Sequence, residues 1–244
     1  MLWGFFTITH IASLILGVAI IIGLYFVLRN RSDKTKLIVL GILSFSGISA
    51  IIFNLVAWNS PLEYLPLHLC SLNALVLPIA VLSKSKKLNN LLLLWSLGAL
   101  FALVVNTAQA NFDIFSLTFA FYYFPHVLEL GIPILMFALK LVKKDVKCIV
   151  STVGITLVSY TLIHFINVAI NSYCIGNNVL DQAGNVIQVN YMYSLTPANP
   201  LLQIFYNLIP APYWYMLLCV PIVVIFLGVV YLVDILALRK KANN

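Results

Sequence analysis

Residues 65–87 read Leu65-Pro66-Leu67-His68-Leu69-Cys70-Ser71-Leu72-Asn73, then an aliphatic run from Ala74 to Leu82, then Ser83-Lys84-Ser85-Lys86-Lys87. Pro66 suits the first turn of a helix, because its missing N–H would be unpaired there anyway. The lysines close the run. Whether this stretch spans a bilayer decides the fold, since it fixes whether the number of spans is odd or even.

Outward from it, the composition is that of an integral membrane protein. The chain has 244 residues, 62% of them hydrophobic and only 9% charged. Soluble domains are about 45–50% apolar even with glycine counted. At roughly 20 apolar residues per helical span, seven spans fill the chain. They fall at about residues 8–28, 37–58, 66–83, 88–105, 115–139, 148–170 and 213–236. The expected fold is all-α, a single seven-helix transmembrane domain over residues 1–244. Pro125 and Pro133 lie inside the fifth span, which is expected to kink or break. Residues 171–212 form the one long polar stretch, with turn signals at Gly176-Asn177-Asn178 and Gly184-Asn185. Near its end, residues 201–209 have the pattern of a short amphipathic interfacial helix.

Charge tests this division. All 14 Lys and Arg residues follow spans one, three, five and seven, and none follows two, four or six. Cytoplasmic loops carry the Lys/Arg excess. The amino terminus is therefore expected outside and the carboxyl terminus in the cytoplasm of a cell-membrane protein, with Trp3, Trp58 and Trp214 in the outer aromatic belt. The net charge of +7 is an orientation signal here, and nucleic acid is not an expected partner. Four scattered cysteines without C-x-x-C spacing give neither a zinc site nor a disulfide framework. No H-E-x-x-H and no i,i+4 histidine pair occurs, so no metal or cofactor is expected.

With the orientation set and about 1.5 Å of rise per helical residue, polar residues gather in the outer half. His10, Asn54, Cys70, Asn73, Asn106, His164 and Asn167 lie near outer helix ends, with His126 and Glu129 deeper, whereas the inner half reads as aliphatic. This asymmetry predicts a cavity open to the outer side. Ionisable residues at membrane depth carry a functional hypothesis by default. Cys70, at a helix start where the dipole favours thiolate, is the nucleophile candidate; Cys148, Cys174 and Cys219 read as small apolar fillers. His126 and Glu129 are three apart and share a helix face, so Glu129 can orient the imidazole for base catalysis. His68 and Cys70, two apart, diverge on a regular helix. His10, His68, Asn73, Asn106, His164 and Asn167 are candidates for substrate binding or an oxyanion site. For His10 and His164, one hydrogen bond to a neighbouring helix is an equally available explanation.

Beyond these features, the chain is similar to the YwaF and transmembrane protein 164 family of multi-span membrane proteins. The resemblance is carried by Leu65-Pro66-Leu67-His68-Leu69-Cys70-Ser71, Trp95-Ser96-Leu97-Gly98, His126, Asn190-Tyr191-Met192-Tyr193, Asn199-Pro200 and Pro212-Tyr213-Trp214-Tyr215, with His10 in the first span. A polar insertion, roughly residues 172–189, and a divergent segment between Asn106 and Phe124 depart from the family pattern. The resemblance implies seven helices and acyl transfer between phospholipids, with Cys70 as acyl carrier, His126 as its partner and membrane lipids as donor and acceptor. The alternative function is a transporter or receptor that binds a small ligand in the outer polar cavity.

Overall fold

The computed structural model describes residues 1–105 and 108–242. The chain is helical throughout: α1 Ile8–Leu28, α2 Asp33–Ser44, α3 Ser46–Trp58, α4 Leu69–Ser83, α5 Lys86–Val104, α6 Leu117–Ala138, α7 Cys148–Gly176, α8 Pro200–Leu208 and α9 Val220–Ala242. Two 3₁₀ turns, Tyr191–Tyr193 and Trp214–Cys219, precede α8 and α9. Among the described residues, β-structure is limited to isolated bridges, Leu2 with Asp113 and Leu180 with Val186. Side-chain caps start several helices. Ser32, Ser85, Ser116 and Asn199 each accept the N–H three residues on, satisfying one of the donors a helix start leaves open.

Among the described residues, six stretches are long and apolar enough to cross a membrane: Ile8–Leu28, Asp33–Trp58, Lys86–Val104, Leu117–Ala138, Cys148–Gly176 and Trp214–Leu236. The stretch that opened the reading is the exception. At 15 residues, α4 is roughly 22 Å long at 1.5 Å per residue, short of a ~30 Å hydrocarbon core. Its place explains how a short helix persists. It packs against α2, α3, α5 and α6, so protein covers the irregular backbone before it, as a lipid-exposed loop would not be covered.

Two expectations about helix continuity exchange places. The fifth span, expected to kink or break at Pro125 and Pro133, is one unbroken helix, α6. The second span is the divided one: α2 ends and α3 begins at Phe45, where no proline occurs, with the Phe45 N–H directed at the carbonyls of Ile42 and Leu43. Small residues surround the break at Gly41, Ser44, Ser46 and Gly47, a composition that interrupts helices without proline. They also permit close approach. A Cβ on Gly47 would lie 2.5 Å from that of Ala74 and 2.8 Å from Glu129 Oε1, so glycine is what lets α3 meet α4 and α6.

Lipid is as apolar as leucine, so helices associate in a membrane by packing and interhelical hydrogen bonds. The packing core joins Leu28, Leu40, Leu77, Leu92, Ile132 and Met136, while α1 and α9 turn Ile15, Val27, Val229 and Val233 outward. The end of the bundle expected to face inward is less uniformly aliphatic than the sequence suggests. Buried Asn89 donates to the carbonyls of Ala80 and Ser85, each at 2.8 Å, and Asn90 accepts from the Tyr231 hydroxyl and, at 3.2 Å, from the Asp145 amide. Lys86 and Asp145 close this end with an exposed ion pair at 2.5 Å, which draws the Asp145 carboxyl below its usual range.

Candidate functional site

The site grows from the turn before α4. Leu65 to His68 cannot continue a helix inward from Pro66; the extended His68 (φ −72°, ψ 154°) instead caps α4 and puts Cys70 in its first turn. That removes the objection that His68 and Cys70 diverge, since His68 is not on the helix. Its ring is held between two tyrosines, with centroids 5.4 Å from both Tyr191 and Tyr193. The Met192 N–H donates to His68 Nδ1 at 3.3 Å. An amide N–H only donates, so the neutral ring carries its proton on Nε2. His68 therefore offers a donor.

His126 has the opposite arrangement. Its Nδ1 lies 2.6 Å from the carbonyl oxygen of Tyr122, which only accepts, so Nδ1 is protonated and Nε2 carries the lone pair. His126 therefore offers an acceptor. The orienting partner is this carbonyl one turn back; Glu129, expected to fill that role, makes no hydrogen bond with His126.

Glu129 turns towards α3 and α4. It is 3% exposed, its Oε1 faces Gly47, and its main-chain carbonyl accepts from Asn73 Nδ2 at 3.4 Å. Asn73 is fully buried. That bond ties α4 to α6 at points one helical turn from Cys70 on the first helix and from His126 on the second. Glu129 and Tyr193 both lie within electrostatic reach of the sulfur. Attack by the sulfur requires a base that takes the thiol proton as it occurs.

The other candidates are engaged elsewhere. His10 accepts the Phe6 N–H at Nδ1 (3.0 Å) and reaches the Leu103 carbonyl with Nε2 (2.8 Å), so both ring nitrogens are occupied. Asn167 grips the backbone of Tyr191 on both sides, with Nδ2 to its carbonyl at 2.8 Å and Oδ1 from its N–H at 3.0 Å. His164 Nδ1 meets the Ser194 hydroxyl at 3.1 Å. These two hold the segment that packs on His68. Asn106 lies outside the described residues. Trp3, expected in the outer belt, is 1% exposed and donates to Ser13 Oγ at 2.8 Å, whereas Trp58 and Trp214 are exposed.

Two cavities lie elsewhere in the bundle. One cavity of about 380 Å³, lined by Ser49, Ile52, Phe53, Val56, Ala57 and Phe121, lies between α3 and α6; another of about 120 Å³ is lined by Gly17, Leu103, Tyr123 and neighbours. Neither includes Cys70, His68, His126 or Glu129. Among the described residues, no group of three or more His, Cys, Asp or Glu side chains could hold a metal ion. Tyr191, Tyr193 and Ser194 were not among the candidate residues, although the Asn190–Tyr193 string was visible as a motif. Nothing local marks it, because its importance lies in packing on His68, more than 120 positions away in the chain.

A model of the TMEM164 family matches residues 5–231. No curated protein matches the chain, and no solved structure does.

Proposed function

The chain belongs to the TMEM164 family, and from that premise we propose that it is a lipid acyltransferase working through an acyl-thioester on Cys70. The observation that carries the reading is the pair of histidines of opposed tautomer, one an acceptor on α6 and one a donor two residues before Cys70. Cys70 Sγ attacks the carbonyl carbon of a lipid ester while His126 Nε2 takes the thiol proton. The C=O π pair moves to oxygen, and His68 Nε2–H supports the oxyanion. Collapse breaks the ester C–O bond, and the departing lysolipid oxygen takes the proton from His126. A hydroxyl of an acceptor lipid then repeats the sequence in reverse; water in its place would make the protein a hydrolase.

The reading includes seven spans in one domain, α4 among them, with the amino terminus outside and the site in the outer half of a cell membrane. Asn177 and Lys87 are both exposed and sit on opposite sides in this arrangement. In intact cells an impermeant thiol reagent should label Asn177→Cys and spare Lys87→Cys; the reverse pattern contradicts the orientation. Cys174, buried on α7, is unsuited to that test.

A second reading, a small-ligand transporter or receptor, draws on a specific feature. Ser46 Oγ, Asn73 Oδ1 and Glu129 Oε2 are buried without hydrogen-bond partners, and Ser46 adjoins the helix break at Phe45. Broken helices with such atoms are where transporters bind ions. Protein in vesicles of an alkynyl-chain phospholipid plus a lysolipid acceptor separates the two. Chain transfer that Cys70→Ala and His126→Ala abolish supports the enzyme; no transfer by the wild type supports the binding protein.

A further inference from the structure

The 3₁₀ turn Tyr191–Tyr193 is an improbable piece of backbone. Met192 and Tyr193 both have left-handed φ values, 51° and 53°. For residues with a Cβ, each such conformation costs of order 1–3 kcal/mol and persists only where surroundings fix it. Here they do. The Met192 N–H is on His68, the Tyr193 N–H is on the Asn190 carbonyl at 3.1 Å, and the Tyr193 carbonyl accepts from the Tyr215 hydroxyl. Tyr191 is gripped by Asn167, and the Ser194 carbonyl accepts the Tyr213 N–H at 2.7 Å.

All this fixation serves the main chain of residue 193, while the side chain's polar end is left free. Neighbouring tyrosines use their hydroxyls structurally: Tyr191 on Leu62 O, Tyr215 on Tyr193 O, and Tyr160 on Tyr213 O at 2.8 Å. The Tyr193 hydroxyl makes no hydrogen bond among the described residues. Its ring lies 5.4 Å from that of His68, which is two residues before Cys70. A donor on a fixed main chain, next to a second donor on His68, is the arrangement that stabilises charge as it develops.

We propose that Tyr193 is a catalytic residue whose hydroxyl donates, together with His68 Nε2–H, to the oxyanion formed when Cys70 attacks the lipid ester. The inference rests on the acyl-thioester reading and adds to it a residue on the far side of the chain. No proton is transferred by Tyr193. Its O–H bond stays intact while the carbonyl oxygen gains and then loses negative charge, and the thiol proton travels through His126 as above.

Tyr193→Phe keeps the ring on His68 and removes only the donor. In proteoliposomes with an alkynyl-chain phospholipid and no acceptor, the rate of acyl-enzyme formation on Cys70 should fall roughly 100-fold, the usual loss for one oxyanion donor, with the half-saturating lipid concentration unchanged. Fluorotyrosines introduced at position 193, which strengthen the donor without altering the fold, should give acylation rates that vary with phenol acidity. A role confined to packing predicts no such dependence. Wild-type acylation by Tyr193→Phe, with Cys70→Ala inert, overturns the Tyr193 assignment and leaves the thioester reading standing. If Tyr193→Phe proves poorly folded, a flat fluorotyrosine series overturns it equally. Full transfer activity in Cys70→Ala removes both.

Discussion

Two buried clusters in the bundle each contain a histidine on a packed helix, and they differ in what is left over. Around His10, every polar group is paired. Trp3 donates to Ser13, Ser13 Oγ to the His10 carbonyl, Tyr123 to the Ser13 carbonyl, and both His10 nitrogens are occupied. Rings of Trp3, Phe119 and Tyr123 close the cluster. Around Cys70 the pairing is incomplete: one nitrogen of His68 and one of His126 are open, Asn73 Oδ1 and Glu129 Oε2 have no partner, and the Tyr193 hydroxyl is free. Buried groups left unpaired cost about 1–3 kcal/mol each. The first cluster is built for stability, and the second retains capacity for something not yet bound.

The largest expected effect that separates them is on turnover. His126→Ala should reduce acyl transfer by roughly 10³-fold, within the usual range for loss of a general base, and leave the melting temperature nearly unchanged. His10→Ala should do the opposite. It strands the Phe6 N–H and the Leu103 carbonyl, so the fold should lose about 2 kcal/mol while activity per folded molecule stays near wild type, checked by thermal melting in detergent alongside the transfer assay. If His10→Ala removes activity from folded protein, the division between the clusters is wrong.

A subtler test lies at the junction of α3, α4 and α6. Gly47→Ala introduces a Cβ that meets Ala74 at 2.5 Å and Glu129 at 2.8 Å, and separating the helices should cost about 1–3 kcal/mol. Asn73 and Glu129 would shift with them, so turnover should drop as well. Glu129→Gln should lower turnover less than His126→Ala, because Tyr122 and not Glu129 orients the imidazole.

The smallest effect is confined to the loop after α7. Asp181 accepts the N–H groups of Ala183 and Asn185, each at 2.8 Å, and these backbone bonds, that from Asn185 foremost, hold its carboxyl below the usual range. A depressed pKa means the stabilisation is complete above the ordinary carboxylate range and lost as pH falls through the folded value. Protection of the Ala183 and Asn185 amides, measured relative to their intrinsic exchange rates at each pH, should therefore fall on acidification, leaving the Cys70 cluster unaffected.

These contrasts also mark what could be read from the chain. The helices and most of their ends followed from apolar length and lysine punctuation. Cys70 near a helix start followed from the apolar run after it, although the helix begins at Leu69, and Pro66, expected in its first turn, lies before it. The break at Phe45 was invisible, because small residues weaken a helix without announcing it as proline does, and Pro125 and Pro133 misled for the same reason in reverse. Helical spacing correctly put His126 and Glu129 on one helix, yet the imidazole's partner is the carbonyl of Tyr122, and no spacing rule reports a choice between backbone and side chain. The roles of Tyr193, Asn167 and His10 depend on contacts across 24 to 125 residues, which the sequence alone does not display.

The central claim is that Cys70 carries the acyl group between lipids. Wild-type protein in vesicles of an alkynyl-chain phospholipid, with acceptor lipid withheld, should accumulate that chain on the peptide containing Cys70, seen by mass spectrometry and released by neutral hydroxylamine. An unmodified Cys70 peptide in protein that nevertheless transfers acyl chains once acceptor is added would contradict it.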